Sequence, residues 1–275
     1  MATADLGPAA YDRLLERLRA FSPAAVAFSG GVDSTFLLRA CREALGDDVT
    51  ALTMDTPYLP RRELSEARDL AQRFGIRHRI VSMGLPAEIT VNPEARCYLC
   101  KQQVFARLRT EADRLKLPHL LDGTNADDLG AYRPGLKALA ELAVISPLAE
   151  AGLTKALIRA LSRELGLPTW EKPAYSCLLT RLPHGVQVTQ ERLDRIESAE
   201  NLLRDAGFAA VRVRYHVHDH LARIELPPAD FTRLLAFSRD ADLAGQFKAL
   251  GFQFATLDLR GYVSGSMDPQ AGGNT

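Results

Sequence analysis

The sequence predicts an α/β protein in which a doubly wound parallel sheet is followed by a second, smaller α+β domain. Three observations lead to this fold class. Short strand-like runs alternate with amphipathic helical segments over the first two thirds of the chain, as in parallel sheets covered by helices. A glycine-rich loop joins the first apolar run to a helix. Beyond residue 184, apolar and polar residues alternate within the strands, which indicates half-exposed strands.

The first domain is expected over residues 1–183. Leu14, Leu15 and Leu18 have helical spacing and predict a covering helix over 11–21, which Pro23 ends. Parallel strands are predicted over 24–28, 49–54, 77–81 and 120–123, and further helices over 35–41, 63–74 and 153–165. We expect the binding site of this sheet at the carboxyl ends of its strands.

The second domain is expected over residues 184–275 in the order α-β-β-α-β. Helices are predicted over 190–206 and 231–250, and half-exposed strands over 210–215, 221–226 and 252–259. Pro168, Pro173 and Pro183 predict an extended, looped segment before this domain.

Composition and charge are those of an ordinary globular enzyme. The chain carries 34 basic and 34 acidic residues, so its formal net charge is zero and we expect no nucleic-acid partner. No run of about 18 apolar residues occurs, and the first residues do not resemble a secretory signal, so we expect a cytoplasmic protein without a membrane partner. Four cysteines in a chain of this length do not resemble the disulfide framework of a small secreted domain.

The strongest candidate site is a glycine-rich loop, SGGVDS from Ser29 to Ser34. Gly30 and Gly31 can adopt backbone angles closed to other residues, so that successive N–H groups face one concavity at a helix N-terminus. Such a cradle suits polyphosphate, and the two serine hydroxyls can donate hydrogen bonds to it. Asp33 is expected to cap the helix or to help hold magnesium. The lysine-containing P-loop pattern of kinases is absent.

Three cysteines indicate metal or redox chemistry. Cys97 and Cys100 form a C-x-x-C unit, and Cys177 follows in the looped segment. Thiolates suit iron–sulfur or zinc, and a four-iron cluster with three protein ligands leaves one iron able to carry a sulfide or a substrate. The alternatives are a structural zinc site completed by His119 or His184, and a redox disulfide between Cys97 and Cys100. Cys41 is expected to be a small buried apolar residue.

Together these motifs resemble the LarE family, ATP-dependent sulfur transferases of nickel-pincer cofactor biosynthesis within the PP-loop ATP pyrophosphatase superfamily. The matching segments cover nearly the whole chain and are 29–34, 96–101, 122–128, 132–135, 147–149, 177–178 with Arg181, and 264–267. The resemblance implies an adenine nucleotide alpha hydrolase-like fold. It also implies adenylation of a carboxylate of pyridinium-3,5-biscarboxylic acid mononucleotide and its conversion to a thiocarboxylate. ATP, Mg²⁺ and a 4Fe-4S cluster are the implied cofactors, and a homo-oligomer, commonly a hexamer, is the implied assembly.

The resemblance also implies roles for single residues. Cys177 matches the cysteine that serves as sulfur donor in family members with a single cysteine, where it loses its sulfur and becomes dehydroalanine. Cys97, Cys100 and Cys177 match the three cysteines that hold a 4Fe-4S cluster in other members. We therefore expect cluster-borne sulfur and more than one turnover. Cys177 and Asp33 are the expected catalytic residues. The residues expected around ATP are Ser29, Gly30, Gly31, Asp33, Ser34, Met54, Gly123, Thr124 and Asn125. Those expected to contact the substrate are Asp127, Asp128, Arg133, Arg181, Arg212 and Arg214.

The assignment of the two strand arginines has an open alternative. Arg212 and Arg214 match phosphate-binding arginines of the family, but their alternation with valines is equally typical of a solvated strand face. Glu200 and Glu225 resemble metal-region acids of the family, and Glu200 is expected to bind magnesium.

Other classes of protein share parts of this pattern. A tRNA-thiolation enzyme can combine a PP-loop with a three-cysteine cluster, but zero net charge favours a small anionic substrate over a polynucleotide. An amide-forming PP-loop ligase would use the cysteines as structural zinc ligands. A non-catalytic nucleotide-binding redox sensor would bind ATP without releasing pyrophosphate.

Overall fold

The computed structural model describes residues 6–130, 134–173, 176–263 and 266–267. The chain divides into two compact units. The first consists of Met1–Pro86 and Cys97–Ala174, and the second of Ala87–Arg96 and Tyr175–Thr275. The short segment Ala87–Arg96 thus belongs to the second unit although it lies within the first two thirds of the sequence. The domain boundary after residue 183 stays a prediction.

A parallel four-stranded sheet forms the centre of the first unit. Its strands are β1 (Ala24–Ala27), β2 (Val49–Asp55), β3 (Arg77–Ser82) and β4 (His119–Leu121), in the order β3-β2-β1-β4. The helices are α1 (Leu6–Arg19), α2 (Val32–Leu45), α3 (Arg61–Arg73), α4 (Arg96–Arg114), α5 (Ala126–Leu129), α6 (Pro134–Glu141), α7 (Pro147–Glu150) and α8 (Lys155–Glu164). The predicted α/β fold class is confirmed.

Apolar residues cover both faces of this sheet. Along β1, Ala24 and Val26 belong to one buried cluster, which also contains Phe36 of α2. Ala25 belongs to a second cluster with Phe105 of α4. Because successive residues of a strand point to opposite faces, the two clusters are the two cores of a sheet that has helices on both sides.

Helix α4 has no counterpart among the predicted elements. It begins at the cysteine-containing segment, with Cys97 as its second residue and Cys100 as its fifth. Residues three positions apart lie on the same face of a helix, so the C-x-x-C spacing places both thiols on one side of α4.

The second unit contains a three-stranded sheet. After the 3₁₀ turn Leu178–Arg181 come α9 (Gln190–Asp205), β5 (Arg212–His216), β6 (Leu221–Glu225), the 3₁₀ turn Pro228–Asp230, α10 (Phe231–Asp240), α11 (Leu243–Ala249) and β7 (Phe254–Leu257). Strand β6 lies in the middle, antiparallel to β5 and parallel to β7. None of the helices in the described part of the chain is long and apolar enough to cross a membrane.

Two predictions for the second unit are wrong. The single helix expected over 231–250 is broken, because Asp242 adopts a left-handed conformation with φ of 45° and its carboxylate caps α11 by accepting a hydrogen bond from the Gly245 N–H at 3.2 Å. The half-exposed strand expected over 210–215 is instead buried on both faces, since every residue of β5 except His216 is buried.

Candidate functional site

The glycine-rich loop follows β1 and leads into α2. Gly30 has φ of +68°, and a Cβ at this position would lie 3.2 Å from Ala67 of α3, so both conformation and space favour glycine. Gly31 has φ of −79° and is the N-cap of α2. The expectation of an unusual backbone angle is therefore confirmed for Gly30 and wrong for Gly31.

The two serine side chains of the loop lie together at the start of α2. Ser29 Oγ and Ser34 Oγ are 3.1 Å apart, and Ser34 Oγ accepts a hydrogen bond from the Ser29 N–H at 3.3 Å. The N-terminus of α2 contributes partial positive charge at the same place, which favours anions. This arrangement can bind a polyphosphate.

Asp33 lies in the first turn of α2. It does not cap the helix, because Gly31 is the N-cap and no side chain makes a cap hydrogen bond there; the expected capping role is wrong. Asp33 Oδ2 accepts a hydrogen bond from Lys155 Nζ at 2.5 Å. Asp33 Oδ1 is buried and has no hydrogen-bond partner among the described residues. An unpaired carboxylate oxygen beside a polyphosphate cradle is a suitable ligand for magnesium, which stays a prediction.

Two lysines that the sequence analysis did not identify contact this loop. Lys155 is the first residue of α8 and pairs with Asp33. Lys172 donates a hydrogen bond to the Gly30 carbonyl at 2.8 Å and pairs with Glu66 of α3 at 2.7 Å. A sequence signal that could have identified Lys155 is the threonine before it, a residue type typical of helix N-caps, because a positive charge directly after an N-cap opposes the helix dipole.

Other predicted nucleotide contacts lie at the same edge of the sheet. Strands β2 and β4 flank β1, so Met54 near the end of β2 and Gly123 after β4 lie on either side of the loop. A Cβ on Gly123 would lie 2.9 Å from the Ser34 backbone nitrogen, so only glycine permits this close approach. Thr124 donates a hydrogen bond to Asp122 at 2.6 Å. Nucleotide contacts by Met54, Gly123 and Thr124 stay predictions.

The acidic segment after β4 forms the start of α5. Asn125 and Asp128 make a capping box, in which the Asn125 side chain accepts hydrogen bonds from the N–H groups of Asp127 and Asp128, and Asp128 Oδ2 accepts one from the Asn125 N–H. Asp127 Oδ2 accepts a hydrogen bond from the Lys155 N–H at 2.7 Å. These side chains therefore stabilise local structure, and their contacts with ATP or substrate stay predictions. Arg133 lies outside the described residues.

Cys100 lies next to the loop that follows β2. Its Sγ is 3.2 Å from the hydroxyl of Tyr58, a buried side chain that the sequence analysis did not single out. Burial raises the pKa of the Cys100 thiol above its ordinary value, although the hydrogen bond with Tyr58 opposes this shift. Cys97 is exposed.

Cys177 directly precedes the 3₁₀ turn Leu178–Arg181 in the second unit. The Arg181 guanidinium donates hydrogen bonds to the carbonyls of Ser176 at 2.7 Å and of Cys177 at 3.1 Å. Asn92, which is fully buried, donates to the Leu179 carbonyl at 3.2 Å. Side chains of the same unit therefore fix the backbone around this half-buried thiol.

All four cysteines are free thiols, and Cys41 is fully buried as predicted. Cys97 and Cys100 belong to the first unit and Cys177 to the second. Within the described ranges, no three His, Cys, Asp or Glu side chains come together as a metal-binding group. Three free thiols have the donor chemistry of an iron–sulfur cluster. The cluster, the zinc site and the redox disulfide all stay predictions.

Arg181 and Glu200 form an ion pair in which both side chains are fully buried. Arg181 Nε donates to Glu200 Oε1 at 2.8 Å, and Arg181 Nη2 donates to Oε2 at 3.0 Å. Arg204 and the Val213 N–H donate to the same carboxylate, so each Glu200 oxygen accepts two hydrogen bonds. Glu200 therefore has a structural role within the second unit, and magnesium binding by Glu200 stays a prediction. Arg181 likewise has structural partners, and its contact with substrate stays a prediction.

Several arginines act electrostatically on Glu200. Burial alone would raise the pKa of Glu200, but Arg181, Arg204 and Arg212 hold it below its ordinary value. Burial, together with repulsion by Arg181, lowers the pKa of Arg212.

Arg212 and Arg214 are buried, with 1% and 3% of their surface exposed. The alternative of a solvated strand face is therefore wrong. Arg214 Nε donates to Glu225 Oε2 at 2.9 Å, and its Nη1 donates to the Thr180 carbonyl at 2.9 Å. Arg214 thus connects β5 to the turn beside Cys177. Phosphate binding by the two arginines stays a prediction.

Comparison with known proteins identifies relatives over nearly the whole chain. The sequence profile described as NAD synthase matches residues 15–115. The chain is 36% identical to the pyridinium-3,5-bisthiocarboxylic acid mononucleotide synthase of Lactiplantibacillus plantarum over 93% of this chain and 92% of that protein. An uncharacterised protein of Synechocystis is 42% identical over 92% of this chain and 96% of its own length. A subunit of the glutamine-hydrolysing GMP synthase of Thermoplasma acidophilum is 29% identical over 69% of this chain and 66% of its own length.

Proposed function

Because the chain belongs to the LarE family of pyridinium-3,5-bisthiocarboxylic acid mononucleotide synthases, we propose that it uses ATP to convert a carboxylate of pyridinium-3,5-biscarboxylic acid mononucleotide into a thiocarboxylate. The chain is an ATP-dependent sulfurtransferase. The observation that most supports the proposal is the glycine-rich loop, where two serine hydroxyls and an unpaired Asp33 oxygen lie at the N-terminus of α2. The reaction forms AMP and pyrophosphate.

The reaction has two bond exchanges. A carboxylate oxygen of the substrate bonds to the α-phosphorus of ATP, and the bond from that phosphorus to the bridging oxygen breaks. Its electron pair leaves with pyrophosphate. A sulfur nucleophile then bonds to the activated carbonyl carbon, and AMP leaves with the original carboxylate oxygen. Activation is needed because hydroxide or oxide is a poor leaving group, whereas AMP is a good one.

The loop stabilises the charge that develops in the first exchange. Its backbone N–H groups and the hydroxyls of Ser29 and Ser34 bind the β- and γ-phosphates, and Asp33 Oδ1 binds the magnesium that accompanies ATP. Preorganised donors of this kind stabilise the transition state because they need no reorientation during the reaction. Arg212 and Arg214 bind the phosphate of the mononucleotide, because a guanidinium group can donate two parallel hydrogen bonds to phosphate oxygens.

Cys97, Cys100 and Cys177 are the residues that would hold a 4Fe-4S cluster, which when bound would supply sulfide as the nucleophile. Without a cluster, the Cys177 thiolate would itself be the sulfur donor. Its Sγ would bond to the activated carbonyl carbon as AMP leaves. Loss of the Cys177 α-proton would then break the Cβ–Sγ bond, releasing the thiocarboxylate and leaving dehydroalanine at position 177. With a cluster held by these cysteines and supplied with new sulfide, one chain would transfer sulfur repeatedly, whereas a Cys177 donor would transfer one atom per chain. Counting thiolated product per chain therefore decides between these two sulfur sources.

Replacing Asp33 tests the role of the loop. Asp33→Asn keeps the size of the side chain and removes the charge that binds magnesium, so we expect pyrophosphate release to fall by about 100-fold or more. Release is measured with ATP, magnesium and the mononucleotide substrate. The matched control is Asp69→Asn on the exposed face of α3, which should release pyrophosphate at the rate of the unmodified chain. Equal rates for both variants would contradict the proposal, and an unmodified chain that releases none would favour a non-catalytic nucleotide sensor.

A further inference from the structure

Asn92 has a strained backbone. Its φ of 46° lies in the left-handed region, which residues with a side chain rarely adopt and glycine adopts freely. The residue is also fully buried. Folded proteins keep strained positions of this kind chiefly at functional sites, and the strain persists only where the surrounding contacts offset it. The contacts of the Asn92 side chain must therefore outweigh a cost that glycine would not have.

The amide nitrogen of Asn92 holds the turn that follows Cys177. Asn92 Nδ2 donates hydrogen bonds to three backbone carbonyls, at 3.2, 3.0 and 2.9 Å for Leu179, Leu182 and Pro183 respectively. Only an N–H donor can satisfy three carbonyl oxygens, so an aspartate of the same size could not replace the amide. The identity of the side chain is thus determined by the turn that it binds.

The oxygen of the same amide is unsatisfied. Asn92 Oδ1 is buried and has no hydrogen-bond partner among the residues that the structure describes. A buried acceptor without a partner costs free energy, but rotating the amide by 180° would place this oxygen against the three carbonyls. The hydrogen bonds from Nδ2 therefore outweigh both the unsatisfied oxygen and the strained backbone.

Cys177 lies between two sets of hydrogen bonds within the second unit. Before the turn, Arg181 donates to the carbonyls of Ser176 at 2.7 Å and of Cys177 at 3.1 Å. The Cys177 carbonyl also accepts a hydrogen bond from the Thr180 N–H at 3.2 Å, and Asn92 holds the carbonyls that follow. Because the backbone is fixed on both sides of Cys177, only a few side-chain rotamers remain for its half-buried thiol.

We propose that Asn92 is a positioning residue for sulfur transfer, which holds the turn after Cys177 so that the Cys177 sulfur keeps the direction that this step needs. This inference rests on the proposed function. It applies whether Cys177 donates its own sulfur or binds a cluster, because both roles need a sulfur atom in a fixed place.

A misplaced sulfur changes the fate of the activated substrate. Water then attacks in its place: the water oxygen bonds to the activated carbonyl carbon, the water protons pass to solvent, and AMP leaves. The carboxylate is restored and pyrophosphate has already been released. Loss of the Asn92 amide should therefore consume ATP without forming thiocarboxylate.

The ratio of thiocarboxylate to pyrophosphate tests this role. The full chain, purified without oxygen, is incubated with ATP, Mg²⁺, sulfide and the mononucleotide substrate, and both products are quantified. Asn92→Gly suits the left-handed backbone and removes the amide. We expect its ratio to fall by about tenfold or more, because a misplaced group reacts more slowly, while pyrophosphate release stays within about twofold of the unmodified chain.

The matched control is Asp242→Gly. Asp242 has φ of 45°, and its side chain accepts a hydrogen bond from the Gly245 N–H at 3.2 Å. The control therefore loses a side-chain hydrogen bond from the same backbone conformation in the same unit, but from the N-cap of α11 rather than from the Cys177 turn. It should keep the product ratio of the unmodified chain.

Asn92→Asp provides a second variant, since it keeps the size of the side chain and replaces the donor by an oxygen, and its ratio should fall likewise. An unchanged ratio in both Asn92 variants would overturn the inference and leave the proposed function standing. A parallel loss of both products would also overturn it, as would failure of both variants to unfold cooperatively in urea, because either result would indicate a general structural role. An unmodified chain that forms neither product would instead overturn the proposed function.

Discussion

Gly123 fits the end of β4 against the start of α2. A Cβ there would lie 2.9 Å from the Ser34 nitrogen and 3.2 Å from the Asp33 carbonyl carbon. Both neighbours are backbone atoms of the glycine-rich loop, so they cannot move aside as a flexible side chain would. The absence of a side chain at Gly123 therefore permits the close approach between the loop and the end of β4.

Gly123→Ala should disturb this contact. We expect the free energy of unfolding in urea to fall by about 1–3 kcal/mol, the usual effect of overpacking, and the affinity for ATP to weaken as the loop shifts. The control is Gly130→Ala, since Gly130 has φ of −83° and its added Cβ would meet no atom closer than 3.8 Å. That variant should be unchanged or slightly more stable. If Gly123→Ala were as stable as Gly130→Ala and bound ATP normally, the close approach would have no functional consequence.

Single residues differ in how well the sequence predicts them. The position of the glycine-rich loop between a strand and a helix could be predicted because its six residues are contiguous and its flanking strand and helix are clear. Lys155 and Lys172 could not, because their contacts with Asp33 and Gly30 depend on tertiary folding of distant segments. The burial of Arg212 could not be predicted either, because alternation along a strand does not indicate what covers its second face.

The turn beside Cys177 and helix α9 are joined by the buried pair of Arg181 and Glu200. Removing the charge of one partner leaves the other buried without compensation. Glu200→Gln should therefore lower the free energy of unfolding in urea by about 3–5 kcal/mol at neutral pH. The control on the same helix is Glu191→Gln, an exposed residue whose ion pair contributes at most about 1 kcal/mol.

The pH dependence of stability provides a second test of the same pair. Because the pKa of Glu200 is lower in the folded chain than in the unfolded one, its contribution is fully present above the unfolded value and is lost as pH falls through the folded value. On acidification, the free energy of unfolding of Glu200→Gln should therefore fall less than that of the unmodified chain, because the variant has no carboxylate at position 200 to protonate. Equal stability of Glu200→Gln and Glu191→Gln would refute the structural role of the pair.

Most strands of the first unit were predictable, and the errors among the elements have local causes. Helix α4 is not predicted because its C-x-x-C segment indicates metal chemistry, although its later residues have helical character. The break between α10 and α11 is not predicted because one Asp in a left-handed conformation interrupts a continuous helical pattern. Neither error changes the parallel order of the sheet.

At the scale of the whole molecule, the cysteines are divided between the two units. The segment Ala87–Arg96, which directly precedes Cys97, belongs to the same unit as Cys177. Within that unit, Asn92 donates hydrogen bonds to carbonyls beside the Cys177 turn. Such a long-range contact cannot be predicted from sequence, because the segment has no distinctive composition. The expected homo-oligomer stays a prediction.

The amount of thiocarboxylate formed per chain tests the central claim most directly. Protein purified without oxygen is incubated with ATP, magnesium, sulfide and pyridinium-3,5-biscarboxylic acid mononucleotide, and product and pyrophosphate are quantified by mass spectrometry and enzymatic assay. We expect more than one thiocarboxylate per chain, and we expect Cys177→Ser to release pyrophosphate without forming thiocarboxylate, while Cys41→Ala retains both activities. Absence of thiocarboxylate with the unmodified chain, or undiminished formation by Cys177→Ser, would contradict the account.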